Sequence, residues 1–261
     1  MLLPGDPAPF EIVNPQGRAP CLIVCDHASP VIPSALGDMG LGKDNLREHI
    51  AWDIGAAAIA RRLAQRFDAP AVLAGFSRLV VDCNRYLDDP AIMVGTTDTI
   101  AVPANQDLND NDRAQRVADI YRPYHNAIED ALEAFEEAGT VPFFISVHTM
   151  THRMRGREPR REEFTVCWDR DDRVARPLLS RLAERGDIVF GDNVPYGLEP
   201  EEDYTVPEHA MKRGLPHLQF EVRQDLVGDE KGAHRWADLI YDLAADLALS
   251  PDMRRIEHFW P

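Results

Sequence analysis

The sequence predicts a three-layer α/β/α fold around a mixed, mostly parallel sheet. Three observations lead there: short runs rich in Val, Ile and Phe that read as buried strands, amphipathic helical segments lying between them, and a composition able to fill a large core. The chain has 261 residues and 44% hydrophobic content, enough for one large domain or two small ones. No linker and no internal repeat interrupts it, so one domain over residues 1–261 is expected.

Taken in order, the first strand-like run is 21–25. Residues 46–67 follow as a helix, with Ile50, Ile54 and Ala58 at i, i+4 spacing. Runs at 71–74 and 79–81 read as strands, and 88–111, rich in Thr, Asp and Asn, resists regular structure. A long helix is expected over 112–137, where Val117, Tyr121, Tyr124, Ile128, Leu132 and Phe135 share a face and Pro123 introduces a bend. Strands at 141–147, 164–168, 187–190 and 217–222 alternate with a helix at 173–185. A last helix at 229–249 sets Trp236, Ile240, Ala244 and Leu247 in register. The second irregular stretch, 150–163, crowds Arg153, Arg155, Arg157, Arg160 and Arg161 directly after one strand, where it is either a roof over a site or a solvated loop.

The net charge of −16 argues against nucleic acid or an anionic membrane as partner, since both need clustered Lys and Arg. An anionic substrate would need local arginines to reverse the sign of that field. Cys21, Cys25, Cys83 and Cys167 lie in or beside predicted strands without C-x-x-C spacing, which reads as buried reduced thiols. The first residues carry no basic and apolar leader, and no run approaches a membrane span, so a cytoplasmic, soluble protein is the expectation. Composition sets no oligomeric state.

Two histidines stand at the downstream ends of apolar runs, His27 after 21–25 and His148 after 143–147. Residues just past strand ends line the ligand crevice of an open α/β sheet, and neutral imidazole is the commonest metal ligand. A metal centre therefore needs a carboxylate as well. Asp53, one turn from Ile50 on the helix after the His27 loop, is better placed to face inward than Glu48, while Glu48 and His49 stay open as alternatives. The pair His148 and His152 lacks the glutamate of H-E-x-x-H and follows a strand, which disfavours a paired-histidine zinc helix.

Further candidates surround these. Arg78 and Arg85 bracket the run 79–84. An arginine ending an apolar run needs a partner, and its planar fork suits a carboxylate, from a substrate or from Asp82 or Asp88. Asn84 stands beside Arg85 with further donors. Within 217–223, period-2 alternation puts Gln219, Glu221 and Arg223 on one face and Phe220 and Val222 on the other. A buried glutamate is costly without a metal, a cation or a raised pKa, and Glu221 has the character of a general base, with an ion pair to Arg223 as the plainer reading.

Five ordered segments together resemble the N-formylglutamate amidohydrolase family, which is related in fold to zinc carboxypeptidases and acylglutamate desuccinylases. They are Asp26-His27-Ala28-Ser29, the segment with His49 and Asp53, the run from Arg78 to Arg85, Ser146-Val147-His148-Thr149, and Phe220-Glu221-Val222-Arg223-Gln224-Asp225-Leu226. The resemblance implies a single-metal amidohydrolase, with zinc as the expected ion, cleaving the N-acyl amide of an acidic amino acid, above all N-formyl-L-glutamate. It further implies that His27 and His148 bind the metal and Glu221 is the general base. Asn84 and Arg85 would grip the small anionic substrate, Arg78 would stabilise the oxyanion, and Tyr204 and His209 would sit on a loop covering it. Carboxypeptidases take their carboxylate ligand three residues after the first histidine, where this chain has Pro30; Asp53 is assigned from placement instead. The rival readings are the same chemistry on another N-acyl amino acid or short peptide, and a carboxylate-binding protein without catalysis.

Overall fold

A computed structural model describes residues 1–259. Its sheet has seven strands: β1 (Phe10–Val13), β2 (Cys21–Cys25), β3 (Ala71–Ala74), β6 (Phe143–Met150), β7 (Phe164–Cys167), β8 (Phe190–Asp192) and β9 (His217–Arg223). The two remaining strands, β4 (Thr96–Thr97) and β5 (Ile100–Ala101), form a separate hairpin. The order is β1-β3-β2-β6-β9-β7-β8. β3, β2, β6 and β9 run parallel, β1 is antiparallel to β3, and β7 is antiparallel to β9 but parallel to β8. This is the mixed, mostly parallel sheet expected. Short helices α1 (Gly42–Asn45), α3 (Pro103–Gln106) and α4 (Asp110–Arg116) accompany the long ones, α2 (Ala56–Phe67), α5 (Arg122–Glu137), α6 (Ala175–Arg185) and α7 (Glu230–Leu249). Among the described residues no helix is long and apolar enough to cross a membrane.

Strand alternation divides the core between the two faces. Cys21, Ile23 and Cys25 of β2 pack with α2, α6 and α7, while Leu22 and Val24 pack on the opposite side with Tyr124, Ile128 and Leu132 of α5. The same parity governs β6 and β9: Ile145, Val147, Phe220 and Val222 face the α2–α7 side. His148 and Glu221 therefore point to the other face, and the parallel register sets them side by side, on strands about 4.8 Å apart. All four cysteines are buried and free.

Three expectations are corrected, and one strand is new. The helix assigned to 46–67 begins only at Ala56, because the Asp53 amide donates to the His27 carbonyl (2.9 Å) instead of continuing a helical ladder. Gly55 then turns the chain at φ +88°, where an added Cβ would lie 2.4 Å from the Val227 carbonyl oxygen. Leu79–Val81 is not a strand but a buried turn, an apolar run whose burial does not depend on pairing. The helix from 112 is broken by a π-helical segment, Val117–Tyr121, just before Pro123, whose ring nitrogen cannot donate to the preceding turn. The edge strand β1 escaped the sequence reading because its four residues are half-exposed and too short for a clear period.

Candidate metal centre and cavity

Each predicted ligand arrives from a different structural element. His27 follows β2, Asp53 is fixed in the turn before α2 by its amide bond to His27, and His148 belongs to β6. Their ligating atoms all lie within 4.8 Å of one another, and all three residues are buried. Asp53 Oδ2 stands 3.0 Å from His148 Nδ1 and 3.5 Å from His27 Nδ1. Ligands about 2.0–2.1 Å from a tetrahedral ion are separated from one another by about 3.3 Å, so these spacings suit one small cation. His27 Nδ1 has no hydrogen-bond partner in the protein. His49 and Glu48, the alternatives to Asp53, are engaged elsewhere: His49 Nε2 lies 3.2 Å from Asp98 Oδ2 and Glu48 pairs with Arg155.

Behind the ligands stand carboxylates that sequence reasoning did not assign. Asp82 Oδ1 meets His27 Nε2 at 2.7 Å, and Asp26 Oδ2 lies 3.2 Å from His148 Nε2. Such outer carboxylates orient metal-binding imidazoles and fix their tautomers. Asp82 is in turn held by Arg78, whose Nε and Nη2 donate to Oδ2 at 3.0 and 2.7 Å, and Asp26 Oδ1 accepts from Tyr124 and Thr205. The signal for both was present, since a buried aspartate beside an apolar run demands a partner.

The electrostatics of this cluster also call for a cation. With neutral histidines, the buried carboxylates of Asp26, Asp53 and Asp82 face one guanidinium, Arg78, which leaves an excess of two negative charges. Burial works against ionising Asp26, yet His148 and Thr205 hold its carboxyl down to about 2, and Asp53 and Asp82 fall below the usual carboxylate range for the same kind of reason, through His27, His148 and Arg78. In the absence of metal the histidines answer the charge by protonation. Burial opposes it, but the surrounding aspartates raise both His27 and His148, the latter strongly. Glu221 is pushed up to about 7 by its burial, with Asp53 adding to the effect and the cations opposing it.

This fixes the sign of a pH dependence. The raised histidines contribute stability fully below their unfolded pKa of about 6.5 and lose it as pH rises through their folded values; Glu221 acts in the same direction from about 4.5 upward, and the depressed aspartates weaken the fold only below about pH 4. Chelator-treated protein should therefore melt a few degrees lower for each unit from pH 6 to 8.5. Added zinc should oppose that trend, because metal binding strengthens as the ligands lose protons. A metal-free melting temperature that rises over this range, read by differential scanning fluorimetry, contradicts the assignment.

His27, Asp53, Arg78, Asn84, Arg85, His148 and Glu221 line one cavity of about 600 Å³. Glu221 Oε2 is buried there without a protein partner. Asn84 lines the wall, but its amide is already engaged: Nδ2 donates to Asp203 (2.9 Å) and Oδ1 accepts from the Tyr204 and Thr205 amides (3.1 and 2.9 Å), pinning that loop. Arg85 Nη1 meets Glu202 at 3.0 Å. Tyr204 and His209 do not line the cavity. Val206, Ala210 and Met211 bury in the core and draw their segment inward, so Tyr204 packs against Tyr86, Tyr121 and His125, and His209 lies between His125 (2.9 Å) and Glu129 (2.8 Å). The preceding stretch, with Tyr196, Glu199 and Glu202, forms the wall expected of them. From the arginine-rich stretch Met150, Thr151 and Met154 reach the cavity but none of its arginines does, as Arg155 is spent on Asp98 and Glu48.

A family model described as N-formylglutamate amidohydrolase matches residues 19–227. The crystal structure of a gene product from Agrobacterium tumefaciens is 32% identical in sequence and superposes with a TM-score of 0.90, covering 94% of this chain and 96% of that one. That of N-formylglutamate amidohydrolase from Ralstonia eutropha JMP134 covers 93% of this chain and 97% of that one, with a TM-score of 0.69; at 22% identity this is a likeness of fold. No protein of curated function gives a significant match.

Proposed function

The chain belongs to the N-formylglutamate amidohydrolase family, and from that premise we propose that it hydrolyses the N-acyl amide of an amino acid with one divalent cation, zinc by its donor set, held by His27, Asp53 and His148. N-formyl-L-glutamate, the substrate in the family's name, is the reference against which others are measured. The observation that carries the reading is the position of Glu221, set beside His148 in the β6–β9 ladder with an unpartnered oxygen at the edge of a cluster that lacks two positive charges.

When bound, the cation supplies Lewis acidity, acidifying water and polarising the acyl oxygen. Glu221 takes a proton from the attacking water as the new C–O bond forms. It then returns that proton to the amide nitrogen as the C–N bond breaks, giving a carboxylic acid and a free amine. Arg78 lies partly exposed between Asp53 and Asp82 and those partners keep its guanidinium charged, which suits it to stabilise the oxyanion of the tetrahedral intermediate. Arg85 receives the substrate carboxylate in place of Glu202, an exposed partner that is readily displaced. Asn84 acts by fixing the loop behind Arg85.

Formate release from N-formyl amino acids by zinc-loaded protein tests this reading; no hydrolysis of any N-acyl amino acid would sink it. Within it, Asp82→Asn should weaken zinc binding about 10–100-fold in a competition assay with a fluorescent chelator, because His27 loses the acceptor that orients it. An unchanged affinity would remove Asp82 from the scheme.

A further inference from the structure

Around the candidate metal site a dication and Arg78 would offset Asp26, Asp53 and Asp82, and Glu221, ionised as the base, leaves one negative charge in excess. Elsewhere in the cavity Arg85 stands against Glu199, Glu202 and Asp203, and Arg85 is already paired with Glu202. His49 adds no charge near neutrality, since burial lowers its pKa. None of the five arginines of the neighbouring loop lines the cavity: Arg155 is held by Asp98 and Glu48, and Arg160 by the Thr151 carbonyl and the Tyr196 hydroxyl. A substrate with two carboxylates would find one guanidinium, and its second charge would meet carboxylates in a protein whose net charge is −16.

A second, independent observation concerns Gln219. It shares the strand face of Glu221, lines the same cavity and is only 4% exposed, yet its Oε1 has no hydrogen-bond partner in the protein. A buried amide oxygen left alone is unfavourable unless a ligand donates to it. An N–H donor serves it; a carboxylate, which only accepts, does not. The volume of about 600 Å³ lies within the range of cavities that take ligands much larger than a formylated glutamate.

We propose that the preferred substrate is an N-acyl amino acid with a single carboxylate, seated on Arg85, and a side chain ending in N–H donors, an amide, ammonium or guanidinium, directed to Gln219 and the acidic wall. This rests on the amidohydrolase reading and narrows its substrate. A site built to hydrogen-bond a donor rejects an analogue that lacks it, because its own polar groups are left unpaired.

The test compares kcat/KM of the zinc-loaded protein for N-formyl-L-glutamate, N-formyl-L-glutamine and N-formyl-L-arginine. The glutamine and arginine compounds should exceed the glutamate compound by at least about tenfold, the arginine preference should shrink as salt is raised, and the double variant Glu199→Gln/Glu202→Gln should narrow the gap about tenfold. Calorimetric binding of the three compounds to the Glu221→Gln variant should rank them in the same order without turnover. N-formyl-L-glutamate as the preferred substrate and tightest ligand overturns the inference and leaves the amidohydrolase reading standing. Failure to hydrolyse any of the three or other N-acyl amino acids overturns both.

Discussion

Replacing Glu221 with glutamine should lower kcat by about 10²–10⁴-fold, the range that a positioned acid–base group contributes. The substitution keeps the size and shape of the side chain, so the packing of β9 between β6 and β7 is undisturbed. It also removes a partly buried ionisable group whose pKa is already pushed up to about 7, a sign that burial of its carboxylate oxygen is costly here. The variant should therefore melt at or slightly above the wild-type temperature and bind zinc in the same stoichiometry, as Glu221 is outside the three-residue ligand cluster. Loss of turnover with metal and fold intact separates a proton-transfer role from a structural one. A variant retaining more than about a tenth of wild-type kcat in steady-state formate release would mean that another group moves the proton.

The contrast between what the sequence disclosed and what it concealed follows from the range of the forces involved. His148 and Glu221 were legible because strand parity is local: residues two apart share a face, and each lies at the end of an apolar run. That they are neighbours depends on the β6–β9 pairing, a long-range choice carried by no motif. Asp53 was placed correctly beside the histidines on an incorrect helix, since the contact that brings it inward is a backbone bond to His27 across a turn that periodicity does not encode. The sequence offers Asp82 only as a partner for an arginine and gives Asp26 no role, because the contacts that set them behind the rings of His27 and His148 are long-range. The placement of Tyr204 and His209 over the substrate rests on the family resemblance, while the burial of Val206, Ala210 and Met211 determines where that segment lies. The acidic wall assembles from residues that are unremarkable along the chain, and only the fold sets Glu199, Glu202 and Asp203 in one cavity with Arg85, which is paired with Glu202.

Asp53→Ala should abolish stoichiometric metal binding and with it nearly all turnover. The loss should exceed the 10–100-fold expected for an outer partner such as Asp82. Among the described residues Asp53 Oδ2 alone lies within 3.5 Å of both His27 and His148, and its Oδ1 lies 3.6 Å from Arg78, so alanine removes the proposed ligand and one of the negative charges that would draw a dication inward. Two neighbouring carboxylates are already engaged, Glu48 by Arg155 and Asp82 by His27 and Arg78, and Asp26 Oδ1 accepts from Tyr124 and Thr205. The control for misfolding is thermodynamic. A ligand that binds only the native state at a hundred times its Kd stabilises by about 2.7 kcal/mol, so zinc should raise the melting temperature of the wild type by several degrees and that of Asp53→Ala hardly at all, while circular dichroism of the two metal-free proteins coincides. Metal content by elemental analysis then gives the direct reading. If Asp53→Ala retains one zinc per chain and a zinc-dependent rise in melting temperature, the cation is held by another carboxylate, and the geometry of attack at Glu221 must be redrawn around it.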